Sequence, residues 1–305
     1  MADVIVHGPA SWNLVVDLSE LPAPEPHMQF ASAHREVIGG TSAGKAAHLR
    51  SLGVDVELHT VLGTDAAARS IESALRGADV PFVSTYVNGP SERHLNLMDP
   101  QGGRVSIYLD VPSGAEAHSP SGQLLDAVSR ARAVVLDLSQ PSREAIDAIA
   151  HLDVPIWTDV HDYDGRSQFH APFLAVASFV FMNNDRLEAP RDFLRLCIDR
   201  GAQAAVCTLG ADGAIAMDAQ YDIVQVPARP VVNVVDANGA GDGFMAGFMA
   251  AHLGGARVAE AMVSGAEQAA SALTTVQLSP LFAGKGERLS PARAEPAPTS
   301  GAAPG

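Results

Sequence analysis

Residues 235 to 244 have the sequence Val235-Asp236-Ala237-Asn238-Gly239-Ala240-Gly241-Asp242-Gly243-Phe244, and a helical pattern follows from Met245 to Leu253. A loop of small residues that opens a helix leaves backbone N–H groups unpaired and points the positive end of the helix dipole at one spot. Such a spot suits an anion, including a phosphoryl group in transfer. Asp242, in the first helical turn, is placed to accept a proton from an attacking hydroxyl. Glycine-rich loops with acidic residues also begin ordinary helices, so this stretch alone leaves both interpretations open.

Elsewhere in the chain, short apolar segments alternate with longer helical patterns. Four of these segments are predicted as buried strands: 134–138, 154–160, 179–182 and 204–209. Helices are predicted between them, for example over 142–151 and 191–200. Continuous apolar strands joined by helices indicate a parallel sheet that is covered on both faces. The predicted fold class is therefore α/β, doubly wound, with a mainly parallel sheet.

Two segments break this alternation and predict a second, smaller sheet. Residues 93–98 and 104–109 flank Asp99-Pro100-Gln101-Gly102-Gly103, a turn-rich link that is typical of a β-hairpin. Residues 14–18 and 28–37 are also strand-like. We expect these antiparallel strands to form an accessory sheet that projects from the main one.

Composition limits the classes of function. The chain has 305 residues, of which 47% are hydrophobic, and a formal net charge of -15. This length suits one large α/β domain, and an acidic surface without a Lys/Arg cluster argues against nucleic acid as a partner. We find no apolar run long enough for a membrane span and no signal peptide, so we expect no membrane partner and a cytoplasmic protein. The domain is predicted over 1–285, and the Pro-, Ala- and Gly-rich residues 286–305 are predicted to be a disordered tail.

Three motifs resemble those of the ribokinase-like (PfkB) carbohydrate kinases. Residues 236–242 are similar to the family signature D-T-x-G-A-G-D, with Ala237 in place of Thr. Residues 39–46, followed by Leu52-Gly53, are similar to G-G-x-x-x-N-x-A ending in L-G. Residues 208–213 are similar to the nucleotide loop T-L-G-x-x-G. The motifs occur in the family's order and spacing, and the resemblance covers roughly residues 3 to 280.

The resemblance implies a ribokinase-like fold with helices on both faces of the main sheet and a small β-sheet lid, built from strands at about 10–38 and 92–110. It also implies ATP-dependent phosphoryl transfer to a hydroxyl of a sugar or sugar derivative. Asp242 would be the general base, and Gly239, Ala240 and Gly241 the anion hole. The implied cofactors are ATP and Mg²⁺, together with K⁺ at Asp236 and Asn238 as in many relatives. A homodimer formed through the lid is a further expectation.

The same resemblance implies the binding residues. The nucleotide is expected at Asn183, Thr208, Gly210, Gly213 and Gln268. The sugar-like substrate is expected at Asn13, Gly39, Gly40, Gly44, Ser139 and Asp242.

The chain departs from the family pattern mainly on the sugar side. Asn13 and Ser139 stand where ribokinase has carboxylates, and Gly44 replaces an Asn. Ribose is therefore not expected to be the preferred acceptor, and Lys45 or Arg35 could approach a negatively charged one. In the magnesium-linked N-x-x-E motif, residues 183–186, the Glu is now Arg.

Two other functions stay open. A nucleoside kinase of the same fold would be favoured by apolar or aromatic residues in the lid pocket, Trp12 being a candidate. A non-catalytic ligand-binding descendant would be favoured by the altered N-x-x-E motif. A P-loop at 39–45 is disfavoured, because Ala46 stands where the magnesium-binding hydroxyl belongs. The acidic segment 159–164 suits either a metal site or a solvated loop.

Overall fold

The computed structural model describes residues 2–113, 120–283 and the pair 290–291. The strands in this part of the chain are β1 (Val4–His7), β2 (Ser11–Asp17), β3 (Ala33–Gly39), β4 (Val56–Leu62), β5 (Phe82–Tyr86), β6 (Arg93–Met98), β7 (Arg104–Asp110), β8 (Ala133–Leu136), β9 (Ile156–Asp159), β10 (Phe179–Asn183), β11 (Ala204–Thr208), β12 (Ala214–Asp218), β13 (Ile223–Val226) and β14 (Ser290–Pro291). The α-helices are α1 (Thr41–Ser51), α2 (Ala66–Gly77), α3 (Gly122–Ser129), α4 (Gln140–Ala150), α5 (Ala171–Val176), α6 (Pro190–Asp199), α7 (Ala240–Leu253) and α8 (Val258–Ala272).

The main sheet has nine strands in the order β13-β12-β11-β10-β9-β8-β1-β4-β5. The strands from β11 to β5 in this order pair in parallel, and β12 and β13 add an antiparallel edge. Val4 and Val6 of β1 pack in a core with α1, α2, α7 and α8, whereas Ile5 packs with α3, α4 and α5. Successive side chains of a strand point to opposite faces, so helices cover both faces. The predicted doubly wound architecture is confirmed.

The second sheet has the order β14-β3-β2-β6-β7, and we call it the lid sheet. β6 and β7 form the predicted hairpin, and β2 pairs antiparallel with β3 and parallel with β6. The prediction for β3 was wrong at its start, because the strand begins at Ala33 and not at Met28. Ala33 pairs with Asp17, the last residue of β2, so residues 28–32 have no strand opposite them.

The predicted tail 286–305 lies outside the described residues except for one pair. Ser290 and Pro291 pair antiparallel with His34 and Ala33 at the edge of the lid sheet. In the described ranges no helix combines the length and the apolar character that crossing a bilayer requires.

Candidate active site

A cavity of about 1050 Å³ lies between the lid sheet and the carboxyl ends of the main-sheet strands. Parallel strands all end at one edge of a sheet, and ligands bind there in open α/β folds. Asp159, Asn183 and Thr208, at the ends of β9, β10 and β11, line this cavity. The loop before α7 lines it from another side through Asn238 and Gly239.

Side chains of the lid sheet, most of them polar, face the cavity at every second position. Along and just before β6 these are Glu92, His94, Asn96 and Met98, and along β7 they are Arg104, Ser106 and Tyr108. The period of two follows from strand geometry. Our sequence reasoning missed these residues, although the alternation within the predicted hairpin was a usable signal.

Two amides of the lid sheet carry oxygen atoms without a partner. Asn13 and Asn96 are buried and line the cavity, and neither Oδ1 atom accepts a hydrogen bond from a described residue. A buried polar atom left unpaired costs about 1–3 kcal/mol. A ligand with several hydroxyl groups would supply the missing donors.

The carboxylate of Asp242 lies at the cavity floor with one oxygen engaged and one without a donor. Its Oδ1 atom accepts hydrogen bonds from Thr41 Oγ1 and, at 2.9 Å, from Lys45 Nζ. Among the described residues nothing donates to Oδ2. A methyl group on Gly44 would come within 2.7 Å of that oxygen. The glycine that replaces the family's Asn therefore makes room for the Asp242 carboxylate.

The start of α7 is a close approach of backbone segments that lines the cavity. Gly239 precedes the helix with φ of 83°, and a side chain there would come within 2.3 Å of the Leu278 carbonyl oxygen. The N–H of Ala240 is bonded to the Ala237 carbonyl at 3.3 Å. The N–H groups of Gly241 and Asp242 have no acceptor in the described structure. Two backbone donors are therefore left without an acceptor at the start of α7, and the N–H of Ala240 is not one of them.

Lys45 is 1% exposed and sits behind Asp242. Its Nζ atom is 3.0 Å from Asp137 Oδ1 and 3.3 Å from Asp159 Oδ2. Burial opposes its charge, but Asp137, Asp242 and Asp159 together raise the pKa of Lys45 above its usual value. Three carboxylates within 3.3 Å of Nζ therefore favour the charged form of Lys45. Lys45 and Arg35, named above as contacts for a charged acceptor, do not line the cavity.

The residues predicted to bind the nucleotide are only partly brought together. Asn183 and Thr208 line the cavity, and Gly210 and Gly213 lie in the short turn after β11, outside the lining. Gln268 donates to His48 Nδ1 at 2.8 Å and to Ser51 Oγ at 3.2 Å, on the side of α8 that faces α1. This placement does not support the predicted contact between Gln268 and adenine.

The residues predicted to bind the sugar also divide into two groups. Asn13, Gly40, Ser139 and Asp242 line the cavity. Gly39 lies behind Asn13, where a side chain would collide with the Asn13 amide. Ser139 also caps α4, since its hydroxyl accepts from Ser142 N at 3.1 Å.

The side chains expected to hold potassium are engaged by guanidinium groups. Arg35 lies with Nη2 3.4 Å from Asp236 Oδ2 and pairs through Nη1 with Asp17, while Arg104 Nη1 donates to Asn238 Oδ1 at 2.9 Å. The other Asp236 oxygen accepts from the Asn238 N–H. These side chains do not fit a potassium ion, because a cation is already present at each.

The residues present fit a magnesium ion that is held mainly by phosphate. Mg²⁺ in phosphoryl-transfer sites keeps several waters and uses one or two carboxylates. No group of three or more His, Cys, Asp or Glu suited to a metal occurs in the described structure, but the Asp185 carboxylate lines the cavity. Arg186, in the place of the family's Glu, lies at the surface, 3.9 Å from Asp162 and from Asp164. Exposed ion pairs of this kind contribute little to the stability of the fold.

Known proteins with a related sequence include kinases for two kinds of acceptor. The chain is 28% identical over 275 residues to an acarbose 7(IV)-phosphotransferase of Actinoplanes sp., covering 89% of this chain and 92% of that protein. It is 23% identical over 265 residues to a nucleoside kinase of Methanocaldococcus jannaschii, covering 84% of this chain and 85% of that protein.

Solved structures of kinases are also similar to this chain. A microbiome-derived acarbose kinase, Mak1, superposes with a TM-score of 0.80 at 27% identity, over 92% of this chain and 98% of that one. The ribokinase of Arabidopsis thaliana, solved with ribose and ATP, superposes with a TM-score of 0.75 at 20% identity over 92% of this chain and 95% of its own, which shows the fold. The model of the pfkB family of carbohydrate kinases matches residues 1–281. The chain belongs to the pfkB carbohydrate kinase family.

Proposed function

We propose that this enzyme transfers the γ-phosphoryl group of ATP to a hydroxyl of a sugar derivative larger than a pentose, with Asp242 as general base. The observation that carries this proposal is the Asp242 carboxylate, which has one oxygen held by Thr41 and Lys45 and the other without a donor in the part of the chain that the structure describes. It stands beside the unpaired N–H groups at the start of α7 and inside the cavity that the lid sheet covers.

In the proposed reaction, Oδ2 of Asp242 takes the proton as the acceptor hydroxyl attacks phosphorus. The bond from phosphorus to the bridging oxygen of ADP breaks, and ADP leaves. The N–H groups of Gly241 and Asp242 stabilise negative charge on the transferring group. Magnesium, when bound, neutralises charge between the β- and γ-phosphates. On the chain's side, Asp185 would be its carboxylate ligand.

The character of the lid face supports a polyhydroxylated acceptor. Asn13 and Asn96 offer oxygen atoms that accept no hydrogen bond from residues 2–113 or 120–283, and His94, Ser106 and Arg104 add further polar groups along the same face. Trp12, the candidate contact for a nucleobase, instead packs against the main core and does not line the cavity. Most lid side chains on the cavity are polar, which supports a sugar derivative, whereas Met98 and Tyr108 are the lid residues that a nucleobase would contact.

An acceptor panel tests the proposal. We expect ADP release with acarbose to exceed that with ribose, because Asn13 and Ser139 replace two carboxylates of the ribokinase pattern. Two lost contacts of about 1 kcal/mol each lower kcat/KM for ribose by a factor of about 30. Adenosine and fructose complete the panel. Ribose ahead of the other acceptors would contradict the assignment of the sugar side, adenosine ahead would establish a nucleoside kinase, and no ADP release with any of them would favour a non-catalytic protein.

Metal dependence gives a second prediction. Chelation of divalent ions is expected to abolish turnover, because the phosphate charges are otherwise not neutralised. Replacing K⁺ by Na⁺ is expected to leave kcat unchanged, because Arg35 and Arg104 already engage Asp236 and Asn238. Steady-state rates in buffers that differ only in the monovalent ion measure this. A severalfold activation by K⁺ would show that an ion displaces the guanidinium groups.

A homodimer formed through the lid sheet also remains a proposal. Val105, Ile107 and Leu109 of β7 are each at least two-fifths exposed and alternate with the residues that face the cavity. An apolar row on an edge strand is normally covered or paired. Light scattering of the full chain would measure its oligomeric state.

A further inference from the structure

Lys45 is the unusual feature of the buried part of the site. Of the 20 basic residues in the sequence, only Lys45 and Lys285 are lysines. Lys45 lies among the largest side chains that are almost completely buried, next to the carboxylates of Asp137 after β8, Asp159 on β9 and Asp242 on α7. An ammonium group is a compact charge with three donors, whereas a guanidinium group is a planar fork. A lysine therefore suits a point where several carboxylates converge.

The contacts of Lys45 are distributed so that Asp242 is both oriented and electrostatically balanced. The ammonium group donates to Thr41 Oγ1 and to Asp242 Oδ1, and Thr41 donates to the same Asp242 oxygen. This arrangement fixes the carboxylate through one oxygen and leaves Oδ2 over Gly44. Without the cation, Asp242 would share a buried site with Asp137 and Asp159, and like charges at close range favour protonation.

Other titratable groups near Lys45 and Asp242 are Asp137, Asp159 and His48. Asp137, directly after β8, is fully buried, and burial raises its pKa; Ser42 donates to its second oxygen at 2.6 Å. At Asp159, burial is outweighed by His161 and Lys45, which lower its pKa. His48, on α1, faces Asp242, and burial lowers its pKa. Among the described residues, Lys45 is the basic side chain that pairs with Asp242.

We propose that Lys45 is a positioning residue that holds the Asp242 carboxylate through Oδ1 and aims Oδ2 toward the acceptor hydroxyl. This inference rests on the proposed role of Asp242 as the base. It concerns a residue that does not line the cavity and so does not act through substrate contact.

The test compares Lys45→Met, Asp242→Asn and the double variant, with acceptor and ATP varied separately. Lys45→Met is expected to lower kcat at least tenfold with both KM values unchanged, and to move the acid limb of the kcat/KM profile up by roughly 1–3 pH units. Adding Lys45→Met to Asp242→Asn is expected to cost nothing further, because both act through one carboxylate. A raised acceptor KM with unchanged kcat, or additive losses, would overturn the inference.

Two further variants keep the inference testable if Lys45→Met does not fold. Lys45→Met/Asp137→Asn removes one of the two uncompensated carboxylates, so it is expected to recover melting temperature and to move the acid limb of the kcat/KM profile part of the way back. Asp137→Asn alone keeps Lys45 and removes an anion that repels the Asp242 carboxylate. The acid limb of its kcat/KM profile is therefore expected to stay in place or to move to lower pH. An upward shift in Asp137→Asn would contradict the mechanism. If Asp242→Asn itself kept normal turnover, the proposed function would fail; if only Lys45→Met did, only this inference would fail.

Discussion

Asp242→Asn is expected to lower kcat by about 10²–10⁴, the range that general base catalysis contributes. The amide keeps the size of the side chain and an oxygen that can accept from Thr41 and Lys45, but it cannot take the proton of the acceptor hydroxyl. ATP affinity should change little, since the N–H groups at the start of α7 are main-chain donors. Steady-state kinetics with saturating ATP and an equilibrium nucleotide-binding measurement separate the two effects.

Asp192→Asn is the matched control for this substitution. Asp192 is also an acidic residue in the first turn of a helix, α6, but it is exposed and lies outside the cavity. The same change of charge near a helix dipole is made there without touching the proposed base. Turnover of Asp242→Asn close to that of Asp192→Asn would refute the assignment of the base.

Gly241→Ala is expected to reduce kcat by about 10²–10³, comparable to the loss of one oxyanion-hole donor, while the protein remains folded. A methyl group at Gly241 meets no atom within 4 Å and projects from a residue that lines the cavity. It would therefore occupy space beside the unpaired N–H groups. Replacing a helical glycine by alanine stabilises the folded protein by about 0.4–1 kcal/mol where the backbone conformation allows it. Activity and melting temperature should thus move in opposite directions.

Two glycines serve as comparisons for Gly241→Ala. Gly239→Ala is expected to lose both activity and melting temperature, because its φ is positive and the new methyl would meet the Leu278 carbonyl at 2.3 Å. Gly77→Ala, at a helical glycine of α2 with open space around it, is expected to change neither activity nor fold. If Gly241→Ala retained normal turnover, the anion hole would not be at this loop.

Much of the fold followed from local patterns along the chain. The strands β8 to β11 and the hairpin β6–β7 were predicted within a few residues, because buried strands and turn-rich links have local signals. The start of β3 was predicted wrongly because it depends on where its partner β2 ends, which is not a local property. The main cavity residues near α7 were found from one motif. The cavity-lining residues of the lid sheet were not found, because the sequence does not show which side of a strand faces the cavity.

The sequence by itself determined the class of sheet, the helix that begins after a glycine loop, and the acidic residue in its first turn. These features depend on neighbouring residues, whose backbone preferences and spacing act locally. Only the tertiary structure decided what surrounds that acidic residue. Lys45 and Asp242 are 197 positions apart, and Arg35 and Asp236 are 201 apart. Contacts at such separations depend on how α1 packs against α7 and how the lid sheet meets the loop, because side-chain partners are set by packing and not by the residues next to them.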